Sequence, residues 1–171
     1  PAIPEKLLII GGGYIGLEMG TVYSALGSRV TIVEMMNELL LGVDRNLVRP
    51  LQKKLIKEFE SVYLGTKIVS VKKTGKSVLA TLMTTKGSVE ESFDGILISV
   101  GRRPNTEGIG LEHTKVELDK NGFVKVDPKR QTSDSTILAI GDVAGGPMLA
   151  HKASHEARVA VEGLSNNNVS F

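Results

Sequence analysis

The 171 residues contain no cysteine, which excludes a disulfide, a thiolate metal site and a thiol nucleophile within them. They also carry little net charge: Lys and Arg number 21 against 19 Asp and Glu, and no basic cluster stands out. We therefore expect no nucleic acid partner. No apolar run approaches the length that crosses a membrane, so we expect no membrane association either.

The opening segment, PAIPEK, lacks the basic and apolar stretches of a signal peptide, and it has no initial methionine. We expect a segment of a longer cytoplasmic protein. The composition that is present, 41% hydrophobic and 23% charged, is that of an ordinary globular chain. This length is sufficient for one domain with its own core, or for one domain and part of another.

The hydrophobic pattern predicts a parallel βαβ unit at the start of the chain. KLLII (6–10) is typical of a strand buried on both faces, helical spacing follows Gly13, and RVTIVE (29–34) predicts the next strand. A second helix is predicted over 44–59, and Pro50 should kink or shorten it.

The periodicity then changes to short strand-like pieces separated by TGK and TKG, which predicts an antiparallel meander over 67–93. Segments 95–101 and 135–142 predict two more buried strands, and Leu149 begins a closing helix. The polar end, 165–171, should be frayed. The fold class we predict is α/β, with a parallel sheet, flanking helices and an antiparallel β-meander.

GGGYIG (11–16) fits G-x-G-x-x-G between the first strand and helix. Gly11 would permit the tight turn, Gly13 would let the backbone approach a pyrophosphate, and Gly16 would let the helix pack on the sheet. Glu34, at the end of the next strand, would accept hydrogen bonds from the adenosine ribose and repel a 2′-phosphate, which favours NAD over NADP. The alternative is that the glycines serve only tight packing.

A second informative segment, STILAIGD, brings Gly141 and Asp142 to the end of a predicted strand and just before a helix. Ligands of open α/β sheets bind at such strand ends, and a helix N-terminus can stabilise negative charge on a ligand. Taken alone, Asp142 is interpreted first as a cap or turn residue.

We predict no metal site and no catalytic residue within the 171 residues. His151 and His155 share a helical face, but no third ligand is evident, and no Ser-His-Asp set has a supporting motif. Arg102 and Arg103 are either contacts to a cofactor phosphate or a solvated loop pair.

Three motifs follow one another along the chain: GGGYIGLE with the VE that ends RVTIVE, then SVGRRPN, then AIGDVAGGPMLAHKA. In this order they resemble the flavoprotein disulfide reductases, and among them the dihydrolipoamide dehydrogenases of bacterial type. The resemblance implies a Rossmann-like three-layer FAD/NAD(P)-binding fold. It implies an NAD-binding domain at 1–115 and an incomplete, returning segment of the FAD-binding domain at 116–171. The first FAD-binding glycine motif and a redox-active C-x-x-x-x-C should precede residue 1, and an interface domain should follow residue 171.

The resemblance also implies the cofactor-binding residues. The NAD pyrophosphate would be held by Gly11, Gly12, Gly13, Tyr14, Ile15, Gly16, Leu17 and Glu18. Glu34 would hold the ribose, Val69 would line the adenine side and Gly101 would approach the nicotinamide. Asp142 would bind the flavin ribityl chain. The flavin pyrimidine edge would lie over Met148, Leu149, Ala150 and His151.

The implied enzyme oxidises dihydrolipoamide through a redox disulfide and FAD and passes hydride to NAD⁺. Its implied partners are the lipoylated acyl-carrier domain of a 2-oxoacid dehydrogenase complex and a second copy in a homodimer. Because the chain has no cysteine and only part of the FAD site, we expect these residues alone to be inactive. The alternatives are a stand-alone NAD-binding module, a soluble transhydrogenase and a mercuric reductase.

Overall fold

The computed structural model describes residues 2–165, so the predicted frayed end lies outside the described residues except for Ser165. The chain divides into two compact units, with the boundary between Gly101 and Arg102. The functional division expected at 115/116 lies further along the chain and stays a prediction. No helix within residues 2–165 is both long and apolar enough to cross a membrane.

The first unit contains two sheets and two helices. In chain order its elements are β1 (Lys6–Ile10), α1 (Tyr14–Ala25), β2 (Arg29–Val33), α2 (Arg45–Glu58), β3 (Ser61–Tyr63), β4 (Lys67–Thr74), β5 (Ser77–Thr84), β6 (Gly87–Phe93) and β7 (Gly95–Ile98). The parallel sheet has the order β3-β2-β1-β7, and the antiparallel sheet has the order β4-β5-β6. The predicted βαβ unit and meander are confirmed.

Alternation along β1 explains why the unit has three layers. Leu7 and Ile9 belong to the buried cluster that includes Leu55 of α2, whereas Leu8 belongs to the cluster that includes Leu82 of the meander. Leu8 and Ile9 are fully buried. Because successive side chains of a strand point to opposite faces, the parallel sheet packs against helices on one face and against the meander on the other.

Helix α2 begins as the sequence predicts. Asp44 is its N-cap, and the carboxylate accepts a hydrogen bond from the Asn46 N–H at 2.7 Å. Pro50 does not shorten the helix, which continues from Arg45 to Glu58. Pro50 and Asn46 are both exposed, so the Asn46 carbonyl that loses its intrahelical donor can be solvated instead.

The strand predicted at the end of the first unit is not buried along its length. β7 is the edge of the parallel sheet and ends at Ile98, whose surface is 71% exposed. Val100, which follows it, is 70% exposed. An apolar run does not reveal on which side a strand finds a neighbour, and β7 pairs only with β1 among the described strands.

In the second unit the closing helix is confirmed as α3 (Ala150–Leu164). A hairpin in this unit is held by a single antiparallel bridge, Leu118 with Val124. The prediction of a buried strand over 135–142 was wrong. Leu138 makes one bridge, to Gln131, and a 3-10 turn begins at Gly141. A strand needs a neighbouring ladder partner, and the described part of this unit supplies none beyond that bridge.

Candidate functional site

The glycine loop connects β1 to α1 and leaves the start of the helix uncapped by a side chain. Gly11 has φ +111, and its N–H donates to the Val33 carbonyl at 2.9 Å. Gly13 is the N-cap, and its carbonyl accepts from the Leu17 N–H at 3.1 Å. The first turn of α1 contains no acidic residue. A helix start of this kind favours an anion, because backbone N–H groups and the positive end of the helix dipole point outward.

The glycines of the loop differ in what a side chain would meet. A methyl group on Gly11 would collide with the Ser99 carbonyl, and one on Gly16 would collide with the Gly11 carbonyl. At Gly13 a methyl group would have no neighbour within 4 Å. Packing therefore requires glycine at positions 11 and 16, whereas Gly13 is the exposed position at which an outside group can approach the backbone.

Glu34 lies beside this loop, immediately after β2. One carboxylate oxygen accepts from the Gly12 N–H at 2.7 Å, and the other accepts from the Met36 N–H at 2.7 Å. The Glu34 N–H donates to the Tyr63 carbonyl at 2.8 Å. A carboxylate has about four acceptor positions, so this half-buried group keeps capacity for further donors.

Tyr63 also links the two sheets of the first unit. Its hydroxyl donates to a Glu91 carboxylate oxygen at 2.9 Å. This hydrogen bond, with burial of the ring, raises the pKa of Tyr63 above its ordinary value. The strand that supports the Glu34 backbone is therefore itself tied to the meander.

Arg45 holds the loop 39–43, which contacts the glycine loop. Its guanidinium donates to the carbonyls of Leu39, Leu40 and Val43 at 2.9, 2.7 and 2.7 Å. The Leu40 N–H in turn donates to the Gly12 carbonyl at 3.0 Å. Sequence reasoning did not single out Arg45, because an arginine in the first turn of a helix gives no signal of which carbonyls it reaches.

The second unit places Asp142 close to the start of α3. Gly141 has φ +77 and begins a turn in which the Asp142 carboxylate pairs with Arg102 at 2.8 Å. Both side chains are about half exposed. Leu149 is the N-cap of α3 and supplies no side-chain cap, and the first turn has no acidic residue. A ligand with partial negative charge would be favoured at this helix start.

A family profile described as "Pyridine nucleotide-disulphide oxidoreductase" matches residues 1–157. The chain belongs to this family. Its α/β fold, with the two sheets described above, is the FAD/NAD-binding fold of disulfide reductases.

Relatives within the oxidoreductase family are similar over almost the whole chain. A dihydrolipoyl dehydrogenase of Thermus scotoductus is 45% identical, covering 99% of this chain and 37% of that protein. A mitochondrial dihydrolipoyl dehydrogenase of Dictyostelium discoideum is 43% identical, covering 96% of this chain and 35% of that protein. The chain therefore spans a little over a third of the length of these relatives.

Solved structures agree with this family membership. LpdA from Mycobacterium tuberculosis matches with a TM-score of 0.88 at 30% identity, over 99% of this chain and 36% of that chain. The HOCl-induced flavoprotein disulfide reductase RclA from Escherichia coli matches with a TM-score of 0.88 at 27% identity, over 99% of this chain and 38% of that chain.

The other residues predicted from the family resemblance lie in several places. Tyr14 and Glu18 are exposed on α1. Val69 is at an irregularity in the pairing of β4 with β5 and is 60% exposed, and Gly101 has φ +127 at the end of the first unit. His151 is exposed in the first turn of α3. Their contacts with a cofactor stay predictions, as do those of Met148, Leu149 and Ala150.

The two histidines of α3, His151 and His155, are both exposed. Across residues 2–165 there is no group of three or more His, Asp and Glu side chains that could hold a metal ion.

Helix α3 also contains a buried charged cluster that the sequence pattern did not predict. Leu149 and Leu164, apolar residues near the two ends of α3, are 37% and 69% exposed. The same helix instead buries Lys152 and Glu156, which are 9% and 0% exposed. A Lys and a Glu four residues apart are usually a surface pair, so the spacing alone gave no sign of their burial.

Proposed function

We propose that this chain is the NAD-binding portion of a flavoprotein dihydrolipoyl dehydrogenase. The observation that carries the proposal is the pairing of an open glycine loop at a helix start with the Glu34 carboxylate, which is hydrogen-bonded to the Gly12 N–H. The curated relatives that cover this chain at 38–45% identity include several named dihydrolipoyl dehydrogenase, which supports the same assignment.

The NAD pyrophosphate would lie at the N-terminus of α1. Gly13 offers open space, and its backbone has the extended dihedrals φ −79 and ψ 177, so no strain opposes the approach. The run from Gly11 to Glu18 would supply backbone N–H groups and the helix dipole, with no carboxylate in the first turn to repel the phosphates.

Glu34 would select NAD over NADP. Its remaining acceptor positions suit the ribose hydroxyls, and its negative charge would repel a 2′-phosphate. The following residues, Met35 and Met36, are exposed and neutral, so they offer no cation to a 2′-phosphate. In the proposed site, Val69 lines the adenine side and Gly101 approaches the nicotinamide.

The residues of the second unit fit one side of a flavin site. The N-terminus of α3 lacks a side-chain cap and a first-turn acid, which suits electron-rich oxygen and nitrogen atoms. Asp142 would hold the ribityl chain, and Met148, Leu149, Ala150 and His151 would lie at the pyrimidine edge. FAD supplies two-electron chemistry between a dithiol and a nicotinamide, and the protein contributes orientation and electrostatics. We propose that these residues hold only part of FAD.

In the whole protein, dihydrolipoyl groups would be oxidised to lipoyl groups while NAD⁺ is reduced. The dithiol-disulfide couple would come from residues outside this chain, which has no cysteine. We further propose a lipoylated acyl-carrier domain of a 2-oxoacid dehydrogenase complex as partner, a homodimer as the assembly and the cytoplasm as the location.

The second candidate is a stand-alone NAD-binding module without redox chemistry. The absence of cysteine from all 171 residues favours it, because the chain alone has no thiol to exchange electrons with a dithiol. A soluble transhydrogenase and a mercuric reductase remain alternatives within the family, since the residues that would distinguish them are not in this sequence.

The test is to express the complete open reading frame that contains this chain and to measure bound FAD and dihydrolipoamide oxidation with NAD⁺ and with NADP⁺. The proposal predicts a yellow protein that reduces NAD⁺ much faster than NADP⁺. An open reading frame without upstream cysteines and a colourless product would contradict it and support the stand-alone module. Bound FAD with no dihydrolipoamide oxidation would indicate another member of the family.

A further inference from the structure

The second unit contains a fully buried carboxylate to which the proposed function assigns no role. Glu156 of α3 is 0% exposed. One carboxylate oxygen accepts from the Gly141 N–H at 2.6 Å and from Lys152 Nζ at 3.1 Å. The other oxygen accepts from an Arg130 guanidinium nitrogen at 2.9 Å and lies 3.0 Å from Lys152 Nζ. Both oxygens are therefore used, and all of their partners belong to the second unit.

The cluster holds both backbone polar groups of one residue. The Glu156 carboxylate accepts a hydrogen bond from the Gly141 N–H, and Lys152 Nζ donates to the Gly141 carbonyl at 3.1 Å. Gly141 is itself buried and has φ +77, a conformation that residues with a side chain rarely adopt. Its neighbour is Asp142, whose exposed carboxylate lies at the surface with Arg102. The buried side chains thus determine the backbone from which Asp142 projects.

The chemistry of the cluster indicates that its role is to hold the backbone at Gly141 in place. Burying charged groups carries a large desolvation cost, and apolar side chains of similar volume often stabilise a protein as well or better. Apolar side chains cannot accept a hydrogen bond from the Gly141 N–H or donate one to the Gly141 carbonyl. Each of those backbone groups would otherwise be buried without a partner or would have to turn away.

We propose that Glu156 is a positioning residue for cofactor binding. Together with Lys152 it fixes the Gly141–Asp142 turn, and so sets the position from which Asp142 meets the ribityl chain of the flavin. This inference rests on the proposed function, because it takes the flavin site of the whole protein as given.

The test uses the full-length flavoprotein with Glu156→Gln, which keeps the volume and one acceptor oxygen but removes the charge. The matched control is Glu107→Gln, the same change at an exposed position of the same unit. The measurements are the FAD dissociation constant by release of flavin fluorescence, the visible circular dichroism of bound FAD, and the NADH dissociation constant.

We expect Glu156→Gln to weaken FAD binding by at least about tenfold, the loss that follows from a perturbed hydrogen bond to a charged group. The visible circular dichroism should change, and the NADH dissociation constant should not, because the glycine loop is in the other unit. Glu107→Gln should match the wild type in all three. A purely structural role would lower the melting temperature while the folded protein kept its FAD affinity and its circular dichroism, and that result would overturn the proposal.

If Glu156→Gln does not fold, Lys152→Met decides the question, because it removes only the donor to the Gly141 carbonyl and one partner of Glu156. It should also weaken FAD binding at unchanged NADH affinity, and wild-type FAD affinity in this variant would overturn the proposal. A wild-type protein without bound FAD would refute the proposed function and this inference with it. A wild type that holds FAD beside variants of unchanged affinity would refute the inference alone.

Discussion

Replacing Gly13 by alanine should separate cofactor binding from folding in the 171-residue chain. The added methyl group would have no atom within 4 Å, and the Gly13 dihedrals, φ −79 and ψ 177, are open to alanine. Glycine is somewhat better than alanine at an N-cap, so the free energy of unfolding should fall by no more than about 1 kcal/mol. The same methyl group would occupy the space through which the NAD pyrophosphate would approach in the proposed site.

We therefore expect Gly13→Ala to weaken NADH binding by at least about tenfold, which is about 1.4 kcal/mol. The assay is calorimetric titration with NADH, with urea unfolding followed by circular dichroism as the measure of folding.

Gly16→Ala is the matched comparison, since its methyl group would collide with the Gly11 carbonyl and lie 2.7 Å from Ser99 Oγ. It should lower the free energy of unfolding by about 1–3 kcal/mol, the usual cost of overpacking. Wild-type NADH affinity in Gly13→Ala would refute the argument that the backbone at Gly13 approaches the pyrophosphate.

Two further predictions concern stability. Asp44→Ala removes the side-chain acceptor of the Asn46 N–H and should lower the free energy of unfolding by about 1 kcal/mol, measured by urea unfolding; an unchanged midpoint would contradict the capping role. The pKa of Tyr63 is raised in the folded chain by its hydrogen bond to Glu91, so the unfolded chain loses this proton first. The contribution of Tyr63 to the free energy of unfolding should be fully present below its unfolded pKa of 10.0 and should be lost as the pH rises through its folded pKa. The free energy of unfolding of Tyr63→Phe should therefore fall less over the same pH range.

Local patterns were sufficient to predict the βαβ unit and the meander of the first unit. A buried strand, a glycine loop and an amphipathic run each carry their signal within a few residues, and β1, α1 and β2 formed where that signal placed them. The hairpin turns of the meander are equally local. By contrast, 135–142 contains a run of four apolar residues, ILAI, as β1 contains LLII, but it makes only one bridge, at Leu138. Pairing depends on a neighbour that a local pattern does not contain.

The same distinction applies to the candidate site. The position of Glu34 at the end of β2 followed from spacing, but its hydrogen bonds to the Gly12 and Met36 N–H groups depend on the fold of the loop. Arg45 was missed because it donates to backbone carbonyls, which leave no mark on residue identity. Glu156 was missed because its partners, the Gly141 N–H and the side chains of Arg130 and Lys152, come together only in the fold.

The most direct test of the account is calorimetric titration of the 171-residue chain with NADH and, separately, with NADPH, for the wild type and Glu34→Ala. A melting curve for each protein establishes that the variant is folded, since Glu34 also holds the Gly12 N–H. The account predicts saturable NADH binding, much weaker NADPH binding, and a narrower gap between the two in Glu34→Ala. Equal affinity of the folded wild type for both nucleotides, or no binding of either, would contradict the claim that the glycine loop and Glu34 form an NAD site in this chain.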